Sequence, residues 1–272
     1  MVCLKWLKNV GGVEIETIIL EKHAGIAWLS LNRPNSMNAF NYDMIRELGE
    51  TVEKIRIDPE VRVVVLTGAG DRALSVGADL KERKTLTDVE VKRNLNKIGD
   101  VFTMIDQLPQ PTIAMINGFA FGGGMELALA CDFRFAAMSA VMGLTETGLA
   151  IIPGAGGTQR LPRLVGEAKA LELILTAQRL SASDAALCGL VTRTVEDAVL
   201  KEETQAFADK ILANGPIGVQ QAKFAIKQGM KADLATGLTI ERKAYEITIP
   251  TEDRIEALNA FAEKRKPEFK GR

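Results

Sequence analysis

Asn117-Gly118-Phe119-Ala120-Phe121-Gly122-Gly123-Gly124-Met125-Glu126-Leu127-Ala128-Leu129-Ala130-Cys131-Asp132 sets three consecutive glycines against the start of an apolar helix, with one carboxylate two residues past the last glycine. Glycines let a backbone turn sharply and approach a ligand, and the N–H groups of a first helical turn point outward with the positive end of the macrodipole. Negative charge developing on a bound oxygen is stabilised at such a place. A tight turn into a buried helix would use the same glycines for packing alone. Glu126 separates the two readings, because an ionisable group on a helix of Met, Leu, Ala and Cys is costly to bury unless something pairs with it or uses it.

Outward from this stretch, strands and helices alternate. Residues 14–20 and 25–31 alternate as two antiparallel strands joined through His23 and Ala24. In 41–57 the apolar residues Met44, Ile45, Leu48, Val52 and Ile55 recur at helical spacing, ending before Pro59. The valine-rich run 62–67 reads as a buried strand, 68–79 as a loop, and 88–108 as a second amphipathic helix stopped by Pro109 and Pro111. Residues 112–116 form another buried strand that delivers the chain to the glycine loop. Strand character resumes at 133–136 and near Val141, and a helix is expected from about Gly157. Beyond Thr194 the runs 199–213, 217–229, 234–249 and 252–264 are all helical by period. The chain divides accordingly into a loose leader (1–12), a core (13–198) and a helical region (199–272). So small a layer of helices must dock on the body or on another subunit, and oligomerisation is expected.

Composition narrows the chemistry. Across 272 residues, 34 basic and 35 acidic side chains leave the protein almost neutral, so no polyanionic partner is implied. Hydrophobic content of 47% is that of a water-soluble globular protein, and no apolar run is long enough to span a membrane. Residues 1–12 lack the apolar core of a signal peptide and show no clear transit peptide, and Cys3, Cys131 and Cys188 are odd in number and far apart; a cytoplasmic location is expected. His23 is the one histidine and sits at a strand end, which leaves nucleophile triads and histidine metal sites without their central residue. No metal site is expected, and carboxylates remain as the acid and base candidates. Gly68-Ala69-Gly70-Asp71-Arg72-Ala73 matches a relaxed dinucleotide fingerprint, but Ser75-Val76-Gly77 interrupts the helix that should follow. Pro153-Gly154-Ala155-Gly156-Gly157-Thr158-Gln159-Arg160 lacks the Gly-Lys-Ser/Thr of a phosphate loop and reads as a turn leading into a helix.

Together these segments resemble one family. Ser75-Val76-Gly77-Ala78-Asp79-Leu80-Lys81-Glu82, then 117–132, then Gly143-Leu144-Thr145-Glu146, then Ile152-Pro153-Gly154-Ala155-Gly156-Gly157-Thr158-Gln159-Arg160-Leu161-Pro162-Arg163 are similar, in order and spacing, to the enoyl-CoA hydratase/isomerase (crotonase) family. Asn32-Arg33-Pro34 through Asn38-Ala39 and Glu263-Lys264-Arg265-Lys266-Pro267 extend the likeness to both ends.

The resemblance implies an α/β fold, a crotonase-like spiral of repeated β-β-α units with a C-terminal helical oligomerisation region that builds a homotrimer or a dimer of trimers. It implies a thioester oxygen held between the backbone N–H groups of Ala78 and Gly123, with Glu126 activating water and Glu146 supplying a proton. The function expected is addition of water across the 2,3 double bond of a 2-enoyl-CoA. Coenzyme A is then part of the substrate and no separate cofactor is required. Contacts to the coenzyme would come from Arg33, Val76, Ala78, Asp79, Leu80, Lys81, Gly122 and Gly123, and from Lys264 of an adjoining subunit. Residues 77–83 and 146–153 look most like the branch containing methylglutaconyl-CoA hydratase, the alternative activity, and an AU-rich RNA-binding member. In 41–57, however, Arg46, Lys54 and Arg56 stand among Asp43, Glu47, Glu50 and Glu53, a mixture that disfavours tracking a nucleic-acid backbone. A nicotinamide-dependent dehydrogenase built on 68–73 is the remaining contender.

Overall fold

The structure, a computed structural model, describes residues 16–272, so the expected leader, Cys3 and the start of the first strand lie outside the described residues. Strand β1 (Ile18–His23) pairs antiparallel with β2 (Ile26–Leu31), His23 facing Ile26. Ala24 and Gly25 alone make the turn, both at positive φ (49° and 84°), which matches the twist of a two-residue hairpin. The join is thus one residue later than expected. Helix α1 (Tyr42–Arg56) is capped by Asn41, whose side chain accepts from Met44 N at 3.1 Å, and it buries Met44, Ile45, Leu48, Val52 and Ile55. Burying each such side chain contributes roughly 1.5–3 kcal/mol.

Three strand–strand–helix units follow. The first comprises β3 (Val63–Gly68), β4 (Ala73–Ser75), the short α2 (Leu80–Arg83) and α3 (Asp88–Asp106), whose start carries a reciprocal Thr87/Glu90 capping box. The second is β5 (Thr112–Ile116), β6 (Phe119–Phe121) and α4 (Gly123–Ala130). The third is β7 (Phe133–Ala137), β8 (Val141–Gly143), α5 (Gly157–Val165) and α6 (Glu167–Leu175). The first strand of each unit joins a six-stranded sheet of order β1-β2-β3-β5-β7-β10, the last being Arg193–Val195. The second strand joins a four-stranded sheet, β4-β6-β8-β9, with β9 at Leu180–Ser181. Apart from the β1/β2 and β8/β9 pairs, all neighbours run parallel. Each turn of chain therefore steps one strand along both sheets, which is the expected α/β spiral.

Several expectations need correction. The segment 68–79 is not all loop, because it contains β4, and the glycine stretch contains β6. Both strands are three residues long, too short to show a two-residue period, and they exist only through pairing with each other and with β8. The sequence reading assigned nothing between α5 and residue 194, where α6, β9, α7 (Ala182–Leu187) and β10 form. Gly166 precedes α6 and offers no side-chain cap, so no polar signal marks that start. The chain after Gly68 runs into a strand instead of a helix, which removes the dinucleotide-binding geometry.

The C-terminal region begins with α8 (Leu200–Leu212), which lies on β3, β5 and β7. Its Phe207 ring meets Phe133 at 4.9 Å and Phe135 at 5.0 Å, so this helix covers the main sheet. Helices α9 (Pro216–Gly229) and α10 (Leu234–Thr248) pack on one another, followed by α11 (Glu252–Ala262). Among their exposed apolar side chains are Phe224, Met230, Leu234, Tyr245 and Phe261. What ties α9 to the body is ionic. Lys223 and Lys227 reach Asp132 at 2.6 and 2.9 Å, Lys227 also meets Asp106 at 2.6 Å, and Asp132 accepts from Thr112 N at 2.8 Å. Burial opposes ionisation of Asp132, but the two ammonium groups outweigh it and hold the carboxyl below the usual carboxylate range.

Removing Asp132 leaves Lys223 without its buried carboxylate and Lys227 with Asp106 alone, and breaking a buried pair in this way costs about 3–5 kcal/mol in comparable sites. Asp132→Ala is expected to lose stability of that order in urea unfolding. A loss under about 1 kcal/mol would make the cluster surface-like.

Candidate active site

The point where the second and first units touch is built from backbone. Gly124, in the first turn of α4, lies so close to β4 that a Cβ on it would stand 2.0 Å from Ser75 O. Gly77, at φ 88°, passes the start of α4 so closely that a Cβ there would stand 2.9 Å from Gly123 N. Only glycine fits either position. Residue 78 is tethered from the other side: Phe40 N donates to Gly77 O and Asp79 N to Phe40 O, each at 2.8 Å, making a one-residue parallel bridge between Phe40 and Ala78. The buried Asn38 extends the brace, its side-chain amide donating to Ala73 O at 2.8 Å and its backbone carbonyl accepting from Ser75 Oγ at 2.7 Å. Among the described residues, neither Ala78 N nor Gly123 N has an acceptor. Two N–H donors with nothing to bind, one of them heading α4, stand together on a cavity wall.

Two carboxylates line the same cavity. Glu126, 3% exposed, projects from the first turn of α4, and its Oε1 accepts from Ala155 N at 2.7 Å and Gly157 N at 2.8 Å. Arg160 secures this loop by donating from Nη1 to Ala155 O at 2.9 Å. Burial raises the Glu126 pKa, while the two N–H groups and the Arg160 charge work against that rise. Glu146 begins a 3-10 turn (Glu146–Leu149), half-buried, with its Oε2 fully enclosed and without a hydrogen-bond partner among the described residues. Burial, then the charge of Glu126, push Glu146 up to about 7. Two N–H groups and the Arg160 charge favour ionisation of Glu126, whereas only its own N–H does so for Glu146, so Glu146 holds a proton more readily than Glu126. The pair thus places in one space a carboxylate better held to accept a proton and one better disposed to give one.

The cavity has a volume of about 670 Å³. Of the residues named from sequence, Val76, Ala78, Asp79, Leu80, Gly122, Gly123, Glu126 and Glu146 line it. Arg33, Lys81 and Lys264 do not. Arg33 instead pairs with Asp79 at 2.9 Å and donates to Ala39 O, holding Asp79 in place, while Lys81 is exposed and Lys264 lies just beyond the end of α11, at φ 54°. The sequence reading missed a whole wall: Val91, Asn94, Leu95 and Ile98 of α3, together with Arg83 and Leu86. The spacing 91, 94, 95, 98 marks one helix face and was legible, but nothing local says that this face borders a cavity. The loop 153–157 also does more than turn the chain, since its N–H groups hold Glu126.

Comparison with known proteins shows the family and the fold. The family model described as enoyl-CoA hydratase/isomerase matches residues 21–272. The chain is similar to the putative enoyl-CoA hydratase/isomerase YngF of Bacillus subtilis, with 52% identity over 92% of this chain and 96% of the relative. Human mitochondrial methylglutaconyl-CoA hydratase is 46% identical over 92% of this chain and 75% of its own length. Among solved structures, an enoyl-CoA hydratase from Bacillus anthracis superposes with a TM-score of 0.93 at 49% identity, covering 94% of this chain and all of that one.

A buried proton on Glu146 has a stability signature. A carboxyl whose folded pKa lies above its ordinary 4.5 stabilises the fold fully below that value, and the contribution is lost as pH rises to about 7. Glu146→Gln, which mimics the protonated form, is therefore expected to melt a few degrees above wild type at pH 8 and to lose that advantage at pH 5. Parallel melting curves for the two proteins across this range would place the proton elsewhere.

Proposed function

The chain belongs to the enoyl-CoA hydratase/isomerase family, and on that premise we propose that it adds water across the 2,3 double bond of a 2-enoyl-CoA to give the 3-hydroxyacyl-CoA. The observation that carries this reading is the presence of two carboxylates, one anchored by the N–H groups of Ala155 and Gly157 and one with an enclosed, unpartnered oxygen, in the cavity whose wall presents two unused N–H donors. The thioester oxygen would accept from Ala78 N and Gly123 N. Glu126 takes a proton from water as the water oxygen bonds to Cβ, and the π electrons move through Cα onto the thioester oxygen. The fixed N–H dipoles stabilise the enolate more than the neutral carbonyl, and so lower the barrier instead of merely tightening binding. Glu146 then gives its proton to Cα, the enolate collapses, and one water has been added. Proton exchange with solvent returns the pair to its starting state.

The same reading covers the coenzyme and the assembly. Val76, Asp79, Leu80 and Gly122 in the cavity wall would contact the CoA portion. Lys264 lies outside the cavity of its own chain and would approach the CoA phosphates of an adjoining subunit. The apolar side chains exposed on the last three helices support a homotrimer or a dimer of trimers, and a single-chain mass by light scattering would end that reading.

The experiment is spectrophotometric. Wild-type protein given crotonyl-CoA and no added cofactor should abolish the enoyl-thioester absorbance. Glu126→Gln and Glu146→Gln should each lower kcat by about 10²–10⁴-fold while the affinity for a saturated acyl-CoA stays within about threefold. Near-normal turnover in either variant would remove that carboxylate from the chemistry, and absorbance loss that required a nicotinamide would point to a dehydrogenase.

A further inference from the structure

The two carboxylates of the site are held in different ways. Glu126 is fixed at the carboxylate itself by Ala155 N and Gly157 N, whereas the enclosed Oε2 of Glu146 has no partner among the described residues. The direction of the Glu146 carboxyl is therefore set by the main chain beneath it. That chain is the short 3-10 turn Glu146–Leu149, which ends at Ala150 with a φ of 59°. A single turn has too few internal bonds to hold itself in one place, so the constraint must come from outside it.

The end of α6 supplies that constraint, although no residue of α6 lines the cavity. Thr147 is half-buried, and its Oγ1 donates to Ile174 O at 2.6 Å. Among the described residues this is the one hydrogen bond that joins the turn to another element. The acceptor is itself rigid. Ala177, at φ 52°, closes α6 with two bonds, Gln178 N to Leu173 O at 2.9 Å and Ala177 N to Ile174 O at 3.2 Å, the arrangement of a Schellman motif. The chain ahead of Glu146 bears on the same segment. A Cβ on Gly143 would stand 2.5 Å from Gln178 O, and β9, just beyond Gln178, pairs with β8, which ends at Gly143. Residues 174–178 thus support the backbone on both sides of Glu146. Facing the cavity, Glu146 Oε1 would stand 3.4 Å from a Cβ on Gly122, beside the free amide of Gly123.

We propose that Thr147 is a positioning residue whose bond to Ile174 O holds the turn so that the Glu146 carboxyl stays over Gly122, within reach of the Cα of a thioester bound at the donor pair. The proposal rests on the hydratase reading of the site and extends it to the end of α6, which places the proton donor without touching substrate.

Thr147→Val removes the hydroxyl with little change of volume, and Thr147→Ala serves in its place should that variant not fold. Misplacing a reacting group by about 1 Å costs on the order of 10²-fold, so kcat on crotonyl-CoA should fall about 10–100-fold while KM and the affinity for butyryl-CoA change less than about threefold. Thr147→Ser, which keeps the donor, should stay within about threefold of wild type. In a Glu146→Gln background the same Thr147→Val change should cost less than about threefold more, because a residue acting through Glu146 then has nothing left to place. Equal losses in both backgrounds would make the effect a general one on the fold and overturn the proposal, as would near-normal kcat in Thr147→Val. A second readout needs no turnover. In protein labelled with ¹³C at the glutamate carboxyl carbons, the Glu146 resonance is the one absent from Glu146→Gln. Burial and the Glu126 charge push this group up to about 7, and a turn released toward solvent should bring its midpoint down toward the ordinary 4.5. If wild type hydrates none of the enoyl thioesters, hydration is refuted and the titration decides the inference by itself. A midpoint that falls in Thr147→Val and returns in Thr147→Ser sustains it, and an unchanged midpoint refutes it.

Discussion

Everything in this molecule depends on two stretches of main chain coming closer than side chains would permit. Gly124 touches the carbonyl of Ser75, and Gly77 touches the amide of Gly123. This contact seats α4 against the small sheet, and the same crossing leaves two amides without acceptors. A methyl group on either glycine would pry the layers apart and destroy the donor pair together. The fold and the site are therefore one constraint. The spiral supplies the crossing because each unit sends one strand into each sheet, so that the end of β4 and the end of β6 arrive side by side.

Around that crossing, electrostatics is arranged by asymmetry. Glu126 and Glu146 are the same residue type in the same cavity, yet one receives the N–H bonds of two other residues and a nearby guanidinium, and the other only the influence of its own N–H. Burial alone would raise both pKa values. The loop 153–157 breaks the tie, and Arg160 holds that loop from its far side. The arrangement has a cost in stability, since a carboxyl pushed up to about 7 is partly ionised near neutrality with no partner to stabilise the charge. A site made ready for proton transfer is commonly less stable than its neutralised variant.

Long elements were legible because their residues repeat. The spacing of Met44, Ile45, Leu48, Val52 and Ile55 specifies α1, Pro59 marks its end, and the four C-terminal helices follow equally from period and breakers. Strands β4 and β6 were not legible. Three residues carry no period, and these segments become strands only because partners from other units lie alongside. For the site, Glu126 was marked by its own neighbours, a charge on an apolar helix, whereas Glu146 had no such mark and reads alone as a solvated loop residue. Its role was suggested through resemblance, and its placement beside Glu126 is a tertiary fact. Arg33 shows the converse: a candidate ligand contact by likeness, it is taken up by Asp79 and Ala39 in the structure.

By itself the sequence determined the alternation of strand and helix, the near-neutral surface, the dependence on carboxylates in a chain with one histidine, and the glycines at which backbone must meet backbone. These are properties of a residue and its near neighbours, and no folding is needed to read them. The tertiary structure alone decided which distant segments face one cavity: that residues 155 and 157 would donate to Glu126, and that α3 would form a wall. The physical reason is that hydrogen bonding, desolvation and charge coupling act through space over a few ångströms, while the residues they join lie tens of positions apart along the chain.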